Sequence, residues 1–216
     1  MKQLLSDADR SLLDKRIVEV EKQSGAQVVL ASIARSDSYA EIPWKAFAIG
    51  ASLASLLMIV LNLFVLGWIS SMSIMLSLAA IPASGILLTL LSVLIPGFAR
   101  RLVSPQRMET EARQYAQSLF LSHELFSTSE RRGILIMVSQ FERQVVILPD
   151  TGIREQLGED VLKEIITHMT GHLGQKEIRQ AMESGLDGIL AALGPSETAQ
   201  TGRNELSDEI IEEEGA

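Results

Sequence analysis

The sequence predicts an α/β protein: a small three-layer domain, with a mixed sheet flanked by helices, interrupted by a two-helix transmembrane hairpin. Three observations predict it. Residues 46–99 contain no charged side chain. The short apolar runs at 27–34, 133–139 and 144–148 are typical of strands covered on both faces. Apolar residues at helical spacing precede and follow these runs.

The uncharged segment is too long for one membrane span and fits two, because a bilayer core needs about 20 apolar residues per helix. We expect spans at about 47–66 and 74–95, joined by a short turn of small and polar residues at 67–73. Asn62 is the amide inside the first span and could hydrogen-bond to the second helix. The alternative, a buried hairpin of a soluble protein, is disfavoured because the remaining chain offers too little apolar surface to cover it.

The charges beside the spans predict the orientation. Lys45 precedes the first span, Arg100, Arg101 and Arg107 follow the second, and the turn has no Lys or Arg. The positive-inside rule therefore places both termini in the cytoplasm of a multi-pass protein of the cell inner membrane. Residues 1–24 are charged and lack the apolar core of a signal peptide. The lipid bilayer is accordingly the first expected partner.

The flanking pieces, 1–45 and 104–195, are expected to form one discontinuous domain. Ser6 is a good N-cap for a first helix, and Ser104-Pro105 begins the helix after the hairpin. The first and second strands are joined by a long helical crossover, which favours a parallel pair. The second and third are separated by a four-residue polar turn, which favours an antiparallel hairpin. Two further amphipathic helices close the domain before Gly194-Pro195.

Composition limits the function. The net charge is −8, and seven acidic residues with one basic residue lie between 195 and 216. We expect residues 196–216 to be a disordered acidic tail. The chain has no stripe of basic and aromatic residues, so nucleic acid is not an expected partner. Cysteine is absent, which excludes disulfides and thiolate metal sites.

The segment 130–153, ERRGILIMVSQFERQVVILPDTGI, resembles the signature of the TPM domain family. Its features are Arg-x-Gly before a strand, a polar turn with an arginine, a second strand, and Asp-x-Gly-Ile. The N-terminal Leu-Ser-Asp-Ala-Asp and the later Ser-Gly-Ala-Gln-Val-Val are similar to the family's first helix and strand. The likeness covers about 1–45 and 104–195, and is strongest to a bacterial branch of membrane proteins with an inserted hydrophobic hairpin.

The resemblance implies a possible site. Some family members are phosphatases, some bind divalent cations in an acidic cleft, and others are membrane-linked accessory proteins. The matching carboxylates are Asp37, after the first strand, and Asp150, after the third. Together they could hold Ca²⁺ or Mg²⁺, with Ser36, Glu41 and Thr151 as helpers. Structural readings stay open, since both aspartates are also good loop residues.

Arg143, in the polar turn, could bind an anion or pair with Glu142, Glu130 or another acidic neighbour. At the turn, soluble members often carry paired aspartates where this chain has Gln140, Phe141 and Glu142. We therefore expect a non-catalytic interaction or accessory module of a membrane complex, with a protein partner that the sequence does not identify. The alternative is a weak phosphatase that depends on a divalent metal.

Overall fold

The computed structural model describes residues 5–66, 71–128, 130–175, 177–195 and 210–215. The chain divides into two compact units, residues 1–37 with 108–216 and residues 38–107. The helices in chain order are α1 Asp7–Ser24, α2 Glu41–Leu61, α3 Ser71–Leu94, α4 Pro96–Arg101, α5 Pro105–Ser122, α6 Glu159–Gly174 and α7 Ile178–Leu193. The strands are β1 Gln27–Arg35, β2 Gly133–Ser139, β3 Gln144–Pro149 and β4 Ile211–Gly215.

The sheet of the first unit has the strand order β3-β2-β1-β4. β1 and β2 are parallel, with Gln27 opposite Gly133 and Ile33 opposite Ser139. β2 and β3 form an antiparallel hairpin. Both pairings confirm the sequence prediction. The cause is the length of the connections, since four residues can only reverse the chain, whereas a parallel partner needs a long crossover.

Apolar side chains on the two faces of the sheet form two core clusters. Alternate residues of β1 and β2 pack on one face with α1, α6 and α7. The intervening residues pack on the other face with Ala112, Ala116 and Leu119 of α5. The predicted three-layer arrangement is therefore confirmed. It also explains why β2 is buried at every residue, because helices cover both of its faces.

The C-terminal segment corrects one expectation. Composition predicts disorder from 196 to 216, yet β4 pairs in parallel with the outer edge of β1. Residues 196–209 and 216 lie outside the described residues. The expectation is wrong for 211–215 because an available sheet edge supplies backbone hydrogen-bonding partners to a segment that composition alone marks as polar.

The second unit is the apolar hairpin, which we define as α2 and α3. The two helices run antiparallel, because Ser84 Oγ donates to the Gly50 carbonyl at 3.1 Å while Thr89 Oγ1 donates to the Pro43 carbonyl at 3.2 Å. A Cβ on Gly50 would lie 2.6 Å from the Ser84 carbonyl oxygen. Small residues therefore allow the close helix approach that is common between membrane helices.

The helices differ in detail from the expected spans. α2 begins at Glu41, before the uncharged segment, and a π-helical turn follows at Asn62–Leu66. Lys45 pairs with Glu41 at 3.6 Å, so the charged residues form its first turns. Asn62 Nδ2 donates to the Met58 carbonyl of its own helix at 2.8 Å. The predicted hydrogen bond from Asn62 to the second helix is absent among the described residues.

Candidate functional site

Three polar side chains meet where β1 and β2 end. We call Ser36, Ser139 and Glu142 the serine–glutamate cluster, and all three are buried. The backbone N–H of Ser36 donates to Glu142 Oε1 at 2.9 Å, the Ser139 hydroxyl donates to Glu142 Oε2, and the Ser36 hydroxyl donates to Ser139 Oγ at 3.3 Å. The carboxylate of the β2–β3 turn is thus turned inward and ties that turn to the end of β1.

The cluster is only partly visible in the sequence. The resemblance to the TPM family implies Ser36 as an additional metal ligand, and it identifies Glu142 as one of the residues that stand where soluble members carry paired aspartates. It does not indicate that Glu142 is buried. A glutamate three residues after a strand serine, inside a tight hairpin turn, is the signal that could have found it. Asp37 follows Ser36 and is partly buried.

Arg143 follows Glu142 in the sequence but takes no part in the hydrogen bonds of the serine–glutamate cluster. Its side chain is exposed, its φ is +55°, and it makes no ion pair with a described residue. A non-glycine residue with positive φ is uncommon and is typical of tight turns. The predicted pairing of Arg143 with Glu142 or Glu130 is therefore not seen in the described part of the chain. Anion binding by Arg143 stays a prediction.

Asp150 lies in a different environment. Its side chain is 4% exposed and faces Arg131, whose Nη2 donates to Oδ1 at 3.0 Å while Nε lies 2.8 Å from Oδ2. The Thr151 N–H also donates to Oδ1, at 2.7 Å. Of the two guanidinium contacts, only Nη2–Oδ1 is a hydrogen bond, because Oδ2 accepts none from the described residues and is held by the ion pair alone. Asp150 therefore has an internal counter-ion.

The two predicted metal ligands lie at opposite ends of the sheet, which corrects the expectation of a shared cleft. The Asp150 N–H donates to the Gly133 carbonyl at the start of β2, at 2.8 Å. Asp37 instead follows β1 at the end where Ile33 pairs with Ser139. The length of β2, about 20 Å at the usual rise per residue, separates the two ends. The antiparallel turn causes this, because β3 returns to where β2 begins. Glu41 belongs to the second unit.

The residues around Asp150 have structural roles that account for the Arg-x-Gly and Asp-x-Gly motifs of segment 130–153. Arg132 donates to the carbonyls of Ser24 and Gly25 at 3.0 and 3.1 Å, at the C-terminal end of α1. A Cβ on Gly133 would lie 2.2 Å from the Leu125 carbonyl oxygen, and one on Gly152 would lie 2.2 Å from that of Glu130. Gly133 and Gly152 thus allow close backbone contacts at the start of β2, and Arg132 joins this region to the end of α1.

The residues present do not fit the metal that the resemblance implies. Ca²⁺ and Mg²⁺ need about six or more oxygen ligands. Within the described ranges, no group of three or more His, Asp or Glu residues is placed to hold an ion. Asp37 and Asp150 are too far apart to share one, and both Glu142 oxygens accept hydrogen bonds from the protein.

The β4 edge brings together residues that the sequence did not single out. Arg10 Nη2 of α1 lies 2.7 Å from Glu212 Oε2, and Tyr115 Oη of α5 donates to Glu213 Oε2 at 2.5 Å. Burial raises the pKa of Tyr115, and the hydrogen bond to the Glu213 carboxylate raises it further. No sequence pattern links these pairs, because the residues are about a hundred or more positions apart.

The apolar hairpin presents an unusual surface. Both helices are long and apolar enough to cross a membrane. Large apolar side chains point outward along both, including Leu53 at 59% exposed, Leu56 at 60%, Met75 at 71% and Leu78 at 76%. A soluble protein rarely exposes so large a contiguous apolar surface.

These observations define a three-layer α/β domain into which an apolar two-helix hairpin is inserted. Residues 100–192 match the model of the TPM domain family, which confirms the resemblance predicted from the sequence. The NMR structure of the BA42 protein from the psychrophilic bacterium Bizionia argentinensis has a similar fold. Its TM-score is 0.58 at 13% identity, covering 98% of this chain and 97% of that chain. No curated protein matches the sequence.

Proposed function

We propose that this chain is a bacterial inner-membrane protein whose apolar hairpin spans the bilayer and whose TPM domain is a non-catalytic, cytoplasmic accessory module for a protein partner. The observation that carries the proposal is the outward-facing apolar surface of α2 and α3. Exposing apolar area to water costs about 25 cal/mol of free energy for each Å², whereas contact with hydrocarbon does not carry this cost.

The backbone of the hairpin is compatible with hydrocarbon. Helices satisfy their own N–H and C=O groups, which a lipid environment requires. Five hydroxyl side chains of the hairpin also have partners: Ser55, Ser77, Ser84, Thr89 and Ser92 all donate to backbone carbonyls. Membrane insertion therefore leaves these hydroxyl donors satisfied.

The hydrogen bonds of the buried carboxylates support an accessory role. Asp150 is held by Arg131, and Glu142 is held by Ser36 and Ser139. A phosphatase would need a nucleophile or a metal-activated water beside such groups. Here the carboxylates serve to join strands and turns.

Membrane integration is tested by washing membranes that contain the full chain with alkaline carbonate. We expect the protein to stay in the pellet and to be released only by detergent, because the hairpin is buried in hydrocarbon. Recovery in the carbonate supernatant would contradict membrane insertion.

The accessory role is tested on the detergent-purified full chain by titration with Mg²⁺ and Ca²⁺, followed by thermal unfolding and by phosphate release from a generic monoester. We expect no stabilisation and no phosphate release. Cation-dependent turnover that disappears in Asp150→Asn would instead support the metal-dependent phosphatase.

A further inference from the structure

The outer edge of β1 is filled by a short segment that is remote along the chain. β4 pairs in parallel with β1, with Ala31 opposite Ile211 and Ile33 opposite Glu213. The preceding folded element, α7, ends at Leu193. The β4 segment is therefore attached to the domain through a long, polar stretch of sequence. Strand addition to an exposed sheet edge is a common way of binding extended peptides.

Successive side chains of β4 and of Ile210, the residue before it, contact opposite faces of the domain. Ile210 is 7% exposed and joins the core cluster of α1, while Ile211 packs against the cluster of α5. Glu212 then pairs with Arg10 of α1 at 2.7 Å, and Glu213 accepts from Tyr115 of α5 at 2.5 Å. The edge thus accepts two apolar residues followed by two acidic residues.

Gly215 fixes the end of this pattern. Its φ is +82°, and a Cβ there would lie 1.7 Å from the Arg35 carbonyl oxygen. No other residue fits without moving one of the two strands. By contrast, Glu214 is exposed. Four positions of a six-residue segment therefore contact specific groups on α1 and α5, and a fifth requires glycine.

A tethered peptide needs little intrinsic affinity, because attachment to the same chain gives it a high effective concentration. A short strand with three consecutive glutamates is also poor at forming a sheet by itself. β4 is consequently held by the β1 edge, Arg10 and Tyr115. The residues matched to the TPM family, 100–192, include neither β1 nor β4.

We propose that the outer edge of β1 is a binding site for an extended acidic segment of a partner protein, of the pattern apolar–apolar–acidic–acidic–x–Gly, and that β4 occupies this site in cis. The inference rests on the proposed function and names the chemistry of its partner. The partner displaces β4 by supplying the same backbone pairing and the same two carboxylates. Arg10 and Tyr115 select the acidic positions.

The probe for the test is a fluorescein-labelled peptide with the sequence of residues 208–216, DEIIEEEGA. It is titrated by fluorescence anisotropy against the detergent-solubilised full chain and against a variant that ends at Pro195. We expect saturable binding to the truncated variant and binding at least about tenfold weaker to the full chain, because the tethered copy competes.

A charge exchange tests the register. A peptide with Glu212→Lys is expected to bind the truncated variant at least about fivefold more weakly, by loss of a partly buried ion pair. Introducing Arg10→Glu should restore its binding. The matched control is Glu214→Lys, which makes the same charge change at an exposed position and should leave the affinity within about twofold.

A second variant guards against unfolding of the truncated chain. Full-length Gly215→Val keeps every residue of the tail but places a side chain against Arg35, so we expect it to bind the probe as the truncated variant does. Failure of both variants to bind, with cooperative thermal unfolding retained, would overturn the proposal. So would equal binding to the unaltered full chain.

Further results distinguish binding of a partner segment from exchange of tails between two copies of this chain. They also separate the test of this site from the test of membrane insertion. A full chain that is dimeric, and becomes monomeric only on truncation, would show exchange of tails and overturn the partner-binding site. Probe binding by a chain that carbonate releases from membranes would contradict the proposed membrane role but not this site. A membrane-embedded chain whose variants do not bind the probe would overturn this site alone.

Discussion

Arg131 is the residue on which the buried carboxylate of Asp150 depends. In Arg131→Met the carboxylate keeps the Thr151 N–H but loses its counter-ion. Breaking a fully buried pair costs about 3–5 kcal/mol, and since Arg131 is itself half exposed we expect about 2 kcal/mol. Denaturant unfolding in detergent measures the change.

The matched control for Arg131→Met is Arg154→Met, at an exposed position a few residues beyond Asp150. It should change the free energy of unfolding by less than about 0.5 kcal/mol. Equal effects of the two substitutions would show that Asp150 does not depend on Arg131. Asp150 would then be free to serve as a ligand, as the sequence suggests.

Tyr115 makes a prediction about pH. Its pKa is raised by burial and by the Glu213 carboxylate, so the folded domain holds the phenol proton more tightly than the unfolded chain. This contribution to stability is complete below the ordinary phenol pKa of about 10 and is lost as the pH rises above it. We expect the thermal unfolding midpoint to fall more steeply above pH 10 than in Tyr115→Phe, measured by circular dichroism. Parallel curves would contradict the bond to Glu213.

The positions of Asp37 and Asp150 relative to each other could not be predicted from local sequence patterns. The sequence predicted the antiparallel β2–β3 hairpin, and that hairpin alone puts Asp150 beside the start of β2, away from Asp37. Local patterns identified both carboxylates as loop residues after strands. Which end of the sheet each loop occupies depends on strand direction, and Arg131 could be assigned to Asp150 only once that direction was known.

At the scale of elements, strands with strong local signals were predictable and β4 was not. GILIMVS is apolar throughout, so its burial follows from composition. IEEEG has one apolar residue and three glutamates, and it forms a strand only because β1 offers an edge with Arg10 and Tyr115 on its two sides. Strand formation there is a tertiary effect, which no local window contains.

The helix crossing of the hairpin makes a prediction at Gly50. In Gly50→Ile the added side chain meets the Ser84 carbonyl and the Gly85 backbone, so the helices must separate. We expect a loss of about 1–3 kcal/mol, as in other overpacked sites. The temperature at which the detergent-solubilised protein aggregates, followed by gel filtration, should fall. Ser52→Ile, at an exposed position of α2, is the control and should leave it unchanged. A similar drop in both variants would contradict the contact.

At the scale of the whole molecule, the second unit, residues 38–107, begins and ends at nearly the same place. Arg107 Nη1 donates to Glu41 Oε1 at 2.5 Å and its guanidinium lies 5.6 Å from the centre of the Tyr39 ring. Residues before α2 and after α4 are therefore neighbours within that unit. A sequence interrupted in this way can still complete one domain, because the insertion begins and ends at nearly the same point.

The proposed topology makes the final prediction, and the absence of cysteine makes it simple to test. Ser71→Cys introduces a thiol at the exposed start of α3, and Asp160→Cys introduces one on exposed α6. Basic residues flank only the domain side of the hairpin, so we expect the turn to face outward. A membrane-impermeant maleimide should label Ser71→Cys in intact cells and Asp160→Cys only after permeabilisation. Labelling of Asp160→Cys in intact cells would place the α/β domain outside the cytoplasm and reverse the proposed orientation.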